Sequence, residues 1–169
     1  MRLDEQKRII SEELNTLRLR IIDNMKRNKQ VVTGKTAQSL AVDVDEWGGR
    51  LMGNVPVIPT LETGRKAGRV PRGFASIIYQ WMQDKGIHGD PMPYVRSGKH
   101  KYSAQERGDR SMAAAIAYTI KTKGSRLHRT GGRNDVYSTE IPRTIEVLRE
   151  RLGKLVLDVV RSIKINTQE

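Results

Sequence analysis

The chain has 169 residues and no cysteine, and 31 Lys and Arg against 19 Asp and Glu give it a formal charge of +12. That length is the size of one domain over residues 1–169, and the missing thiols exclude disulfide frameworks, thiolate zinc sites and cysteine nucleophiles. With 5% aromatic residues, a single phenylalanine at Phe74 and 30% charged residues, the core must be built from Leu, Ile, Val, Ala and Met, a thin core that suits a protein stabilised by assembly.

Residues 62–133 hold 15 Lys/Arg against 5 Asp/Glu, whereas residues 1–61 hold 10 against 8 and residues 134–169 hold 6 against 6. A field of that size attracts phosphate backbones or acidic protein surfaces. Met1 to Gln6 lead straight into charged helical sequence, and the longest purely apolar run is Met112 to Tyr118, so neither an export signal nor a membrane span is expected and synthesis is placed in a reducing cytoplasm.

From Asp4 to about Asn28, the residues Ile10, Leu14, Leu17, Ile21 and Met25 recur at spacings of three and four, which predicts a long amphipathic helix. Asp4 and Glu5 in its first turn and Lys26, Arg27 and Lys29 at its end follow the order the helix dipole favours. Thr33 to Leu40 reads as a turn capping a short helical segment. Leu40, Val42 and Val44 then alternate with Ala41, Asp43 and Asp45, Trp47-Gly48-Gly49-Arg50 supplies a two-residue turn, and Leu51, Gly53 and Val55 alternate on the way back, a β-hairpin. Val57 to Leu61 is a third-strand candidate that Pro56 and Pro59 confine to an edge or a loop.

A glycine-rich basic loop, Glu62 to Val70, precedes Pro71, which stands at a favourable first helical position before Phe74, Ile77, Ile78, Trp81 and Met82, with Gly86 ending that helix. Residues 87–102 carry prolines, glycines and two histidines without period and read as a long loop or insertion. Ser103 and Glu106 have capping-box spacing and open a helix through Met112, Ile116 and Ile120, expected to lie flat on the sheet with Ala113 to Ala117 allowing close approach, until Gly124. A second basic loop, Ser125 to Arg133, leads to a short strand candidate at Asp135 to Tyr137. Pro142 then starts a helix on which Ile145, Leu148, Leu152, Leu155, Val159 and Ile163 repeat at three and four, suited to packing on the first helix. The class is α+β, long N- and C-terminal helices and one or two central helices on a small antiparallel sheet.

No constellation points to catalysis. Gly34-Lys35-Thr36 resembles the end of a phosphate-binding loop, but that motif needs a glycine where Lys29 stands and a preceding strand. His88, His100 and His128 have no carboxylate or second histidine at helical ligand spacing, so no metal or other cofactor is expected. A pairing of His88 with Asp90, or of His128 with Asp135, would lack a third orienting group. The best binding residues are the guanidinium and ammonium groups of the two glycine-rich loops, Arg65, Lys66, Arg69 and Arg72 in one and Arg126, Arg129 and Arg133 in the other, which can meet carboxylates or phosphates. Aromatic interleaving along the chain is poor, which argues against base stacking.

The order of these features resembles a known group. A long N-terminal helix, the Thr33-Gly34-Lys35-Thr36-Ala37-Gln38-Ser39-Leu40 turn into a hairpin, Leu61-Glu62-Thr63-Gly64-Arg65, Gly68-Arg69-Val70-Pro71 through Ile77, Trp81 and Lys85-Gly86-Ile87, and Ala115-Ile116-Ala117-Tyr118-Thr119-Ile120 ahead of Gly124-Ser125 are similar to the tail-completion or head–tail joining (neck) proteins of long-tailed phages. The lambda minor tail protein Z belongs to that broad group. The loop at 87–102 departs from the family's compact pattern. The resemblance implies a non-enzymatic virion component, made in the host bacterial cytoplasm. It would form a homo-oligomeric ring, a hexamer in the family pattern, between the tail terminator or tail tube protein and the head connector or adaptor proteins. One basic loop would then face the acidic surface of a neighbouring ring or the end of packaged DNA. The alternative from another class is a basic nucleic-acid-binding accessory protein.

Overall fold

A computed structural model describes residues 2–31, 33–53, 57–95 and 98–161. Its element order is α1 (Arg2–Arg27), α2 (Lys35–Gln38), β1 (Leu40–Val44), β2 (Gly49–Gly53), α3 (Thr60–Thr63), α4 (Phe74–Lys85), α5 (Ala104–Lys123), α6 (Arg126–Arg129) and α7 (Glu140–Arg161). The class is α+β, with long helices near both ends and a two-stranded antiparallel sheet. Contacts gather into two compact units, one of Met1–Ile58 with Asn134–Glu169 and one of Pro59–Arg133.

The first unit is organised by α1. Ile10, Leu14, Leu17, Ile21 and Met25, the residues of the expected stripe, are all buried, with Ile9 beside them. Each such side chain contributes roughly 1.5–3 kcal/mol. The hairpin and α7 pack against α1. Leu40 is buried at the start of β1, and a side chain at Gly49 would run into Ile10 and Leu14, so a glycine there lets β2 lie close on the helix. Arg151 of α7 clasps α1 through Glu12 and Glu13, each at 2.7 Å.

The structure departs from the sequence expectation at several local points. The hairpin pairs Val44 with Gly49, so the turn is the four residues Asp45–Gly48 rather than a two-residue turn centred on Gly48 and Gly49. Asp45 selects it: its Oδ1 accepts from the backbone N–H of Trp47 at 2.8 Å and of Gly48 at 3.0 Å. Val57 to Leu61 forms a turn leading into α3, not a third strand, because Pro59, with φ −58°, already has helical geometry and its carbonyl accepts from Thr63 N–H. Asp135 to Tyr137 is likewise a turn. Val136 is fully buried and its carbonyl accepts from Asn24 Nδ2 at 3.1 Å, so a side chain on α1 takes the acceptor a strand partner would use. Finally, Pro71 is not the first residue of α4, which starts at Phe74 behind Gly73 in the left-handed region with φ 73°. The expected positions Val55, Pro56 and Ile163 lie outside the described residues.

In the second unit, α5 packs on α4 instead of lying on the sheet, whose helical cover is α1. Ile78 and Met82 of α4 meet Ala113 and Ala117 of α5, and Phe74, Tyr79, Ile87, Ile116 and Ile120 close the edges. The small alanines bring the two helix axes together, as their spacing suggested. The expected start at Ser103 and the stops at Gly86 and Gly124 hold: Ser103 Oγ accepts from Glu106 N–H at 3.1 Å, and Gly86 and Gly124 end their helices with positive φ, whereas α7 begins at Glu140, two residues before Pro142. The described part of 87–102 has neither helix nor strand.

Candidate functional site

The two basic glycine-rich segments, separated by 60 residues in sequence, are fastened to each other. Ser125 N–H donates to the Arg65 carbonyl at 2.8 Å and Ser125 Oγ accepts from Arg65 N–H at 2.9 Å. The same Oγ caps α6 by accepting from His128 N–H at 3.3 Å. Gly68 N–H donates to the Lys121 carbonyl at 2.9 Å, and Arg133 N–H to that of Glu62 at 2.8 Å. A side chain at Gly64 would strike the backbone of His128, and one at Gly124 would meet the carbonyl of Arg65. Both glycines also have positive φ, so the clasp requires them twice over.

The clasp sorts the seven cationic residues. Arg65 is half-buried; its Nη2 donates to the Arg69 carbonyl at 3.0 Å and its guanidinium lies 5.4 Å over the Phe74 ring, so it holds its own loop together. Arg133 is half-buried beside Glu62, a residue only 3% exposed. Lys66, Arg69 and Arg72 are exposed. Arg126 and Arg129 are exposed on α6 and line a groove of about 340 Å³ whose apolar wall is the α5 face from Met112 through Ile116 to Ile120. A slot that is apolar along one helix and carries two guanidinium groups on the next can receive an apolar or aromatic group with a carboxylate beside it.

Two further arrangements escaped the linear reading. Asp109, 3% exposed, is a hub that accepts from Gly89 N–H at 2.8 Å, Gln105 Nε2 at 2.9 Å, Gln83 Nε2 at 3.1 Å and His88 Nδ1 at 3.2 Å. Gln105 and then the Gly89 amide hold its carboxyl far below the usual carboxylate range, against the opposing effect of burial. His88 therefore pairs with Asp109, where the sequence suggested Asp90, and His128 Nδ1 sits 3.3 Å from the Thr63 carbonyl, where it suggested Asp135. The Gln105–Asp109 spacing of four on one helix face was a readable signal for the hub. Its effect is to fasten residues 87–91 across α5, and Gly108 makes room, since a side chain there would hit the Asp90 carbonyl.

The second arrangement interleaves cations with rings. Tyr94 and His100 stack at 3.5 Å with planes 5° apart, Arg107 lies 3.9 Å over Tyr94, and Arg110 lies between Tyr79 at 4.8 Å and Tyr102 at 4.3 Å. Arg107 Nη1 also donates to the Met92 and Pro93 carbonyls at 2.9 and 3.0 Å, so the ladder first serves to pin the 87–102 segment. Interleaving that is poor along the chain is thus supplied by folding three segments together.

Comparison of the chain with protein-family models, with curated proteins and with solved structures finds no match. Among the described residues, no helix is long and apolar enough to cross a membrane.

Proposed function

We propose that this chain is a structural, non-enzymatic virion protein of a tailed phage, a tail-completion or neck component that assembles as a ring and joins the tail to the head connector. The observation that carries it is the apolar surface the folded chain leaves in water on α7. One side of that helix packs on α1, while Ile145, Val156, Leu157 and Val160 are 43%, 60%, 55% and 57% exposed. Patches of that kind on a long helix mark contacts with other protein. The motif order from Thr33 to Ser125 supports the family, and a ring of about six copies follows that pattern. Its neighbours in this reading are the tail terminator or tube protein and the connector or adaptor proteins, and the basic loops meet their acidic surfaces or the end of packaged DNA.

Purified protein is expected to have a mass several times the 19.2 kDa of one chain and to show rings by negative-stain imaging; a solitary 19.2 kDa particle counts against assembly. Replacing the exposed Lys66, Arg69 and Arg72 together by Glu is expected to leave unfolding within about 0.5 kcal/mol of the parent and to abolish head–tail joining in a particle-assembly assay. Arg65 is left out of that set because its guanidinium closes the loop.

One observation favours the alternative, a nucleic-acid-binding accessory protein: the ring-and-cation ladder of Tyr94, His100, Arg107, Arg110 and Tyr102 lies in the strongly basic unit. Duplex binding by a monomer or dimer, weakening with added salt at a log–log slope of about −0.9 per phosphate contact, would support that alternative over the neck role.

A further inference from the structure

We infer that the contact between copies is a knob-in-slot joint: the β1–β2 tip of one copy seats in the α5–α6 groove of the next, with Trp47 on the Met112–Ile120 wall and Glu46 against Arg126 and Arg129. The inference rests on the ring reading above and supplies its copy-to-copy surface.

Trp47 is 94% exposed, the most solvated large side chain on the hairpin, although tryptophan gains more than almost any residue from burial and is over-represented among interface anchors. The turn that presents it is rigid. Asp45 Oδ1 accepts from Trp47 and Gly48 N–H, Asp45 N–H donates to the Gly48 carbonyl at 2.9 Å, and Arg50 bridges Asp43 and Asp45, each at 3.1 Å. Little conformational freedom is lost when such a tip docks. Because Arg50 engages Asp43 and Asp45, Glu46 remains as the carboxylate beside the indole.

The groove matches this tip in shape and charge. Its 340 Å³ holds one bicyclic ring with flanking main chain, its α5 wall is apolar, and no hydrogen bond or ion pair among the described residues engages the guanidinium of Arg126 or Arg129. Arginine beside tryptophan adds cation–π attraction, and a carboxylate adds a charge-assisted hydrogen bond. The slot belongs to the unit with 15 Lys/Arg against 5 Asp/Glu, while the knob carries Asp43, Asp45 and Glu46 against Arg50 alone. Two different surfaces that fit each other give a head-to-tail contact, the kind that forms a ring where the rotation between copies closes.

The test uses the full chain and its mass in solution against concentration. Trp47→Ala is expected to raise the concentration at which rings form by roughly 30-fold or more, with the melting curve recorded below that concentration unchanged because the side chain is solvated in the single copy. Arg126→Glu with Arg129→Glu is expected to do the same, and adding Glu46→Arg to that double variant to restore rings. Rings that ignore Trp47→Ala but fall apart with Val156→Asp and Val160→Asp overturn the inference and leave the ring reading standing. A parent chain that stays monomeric at every concentration overturns both.

Discussion

The two units solve the same problem of a thin core in different ways. In the unit of α1, the hairpin and α7, stability comes from one long apolar stripe, and the 16 Lys/Arg and 14 Asp/Glu nearly balance. In the unit of α4, α5 and the clasped loops, two helices meet through alanines, backbone crosses backbone at glycines, and a buried carboxylate gathers four donors. Each unit is therefore fragile at a different kind of residue. The first fails when a stripe residue shrinks, whereas the second fails when a glycine gains a side chain or when Asp109 loses its charge.

The largest effect is expected from the stripe. Met25, 1% exposed, replaced by Ala should destabilise the chain by about 2–5 kcal/mol in urea unfolding, since the lost transfer energy adds to the cavity left behind. A cost below about 1 kcal/mol would mean that α1 is not the organiser of its unit.

Next comes the hub. A carboxyl held low in the folded state stabilises fully above its unfolded value of about 3.9 and loses that contribution as pH falls through the folded value. Asp109→Asn is therefore expected to melt below the parent near pH 7, and the gap should narrow once pH drops under about 4. A gap that stays constant down to pH 2 would show that the loss does not come from the charge of the carboxylate.

The smallest effect distinguishes helical glycines by position. Gly153 in α7 has open space around it, so Gly153→Ala should stabilise by roughly 0.5–1 kcal/mol through propensity alone. Gly108→Ala in α5, facing the Asp90 carbonyl, should go the opposite way. Equal responses at the two positions would remove the contrast between the units.

Much of this architecture was legible because it is local. The period of Ile10, Leu14, Leu17, Ile21 and Met25 requires only the geometry of one helix, and the cap at Ser103 and the stops at Gly86 and Gly124 require only their own turns. The short helix after Gly34 and both hairpin strands were legible for the same reason. The two basic loops were visible as sequence, but their partition was not. Arg65 closes its loop through Arg69 and Phe74, while Arg126 and Arg129 line a groove, and nothing in the residue types distinguishes them.

The turn register, the clasp and the hub show where tertiary context decides. The hairpin turns at Asp45–Gly48 through the cap Asp45 supplies, and tertiary context adds that Gly49 slides under Ile10 and Leu14, a contact nearly forty residues away in sequence. His88 chose Asp109 over the nearby Asp90 because α5 presents a carboxylate already ringed by Gln83, Gln105 and the Gly89 amide. Residue order alone thus determined helix faces, caps and the uneven charge, which follow from torsional preference and hydrophobic period within a few residues. Folding alone decided which cations are engaged and which stay available, because that depends on acceptors delivered from distant parts of the chain.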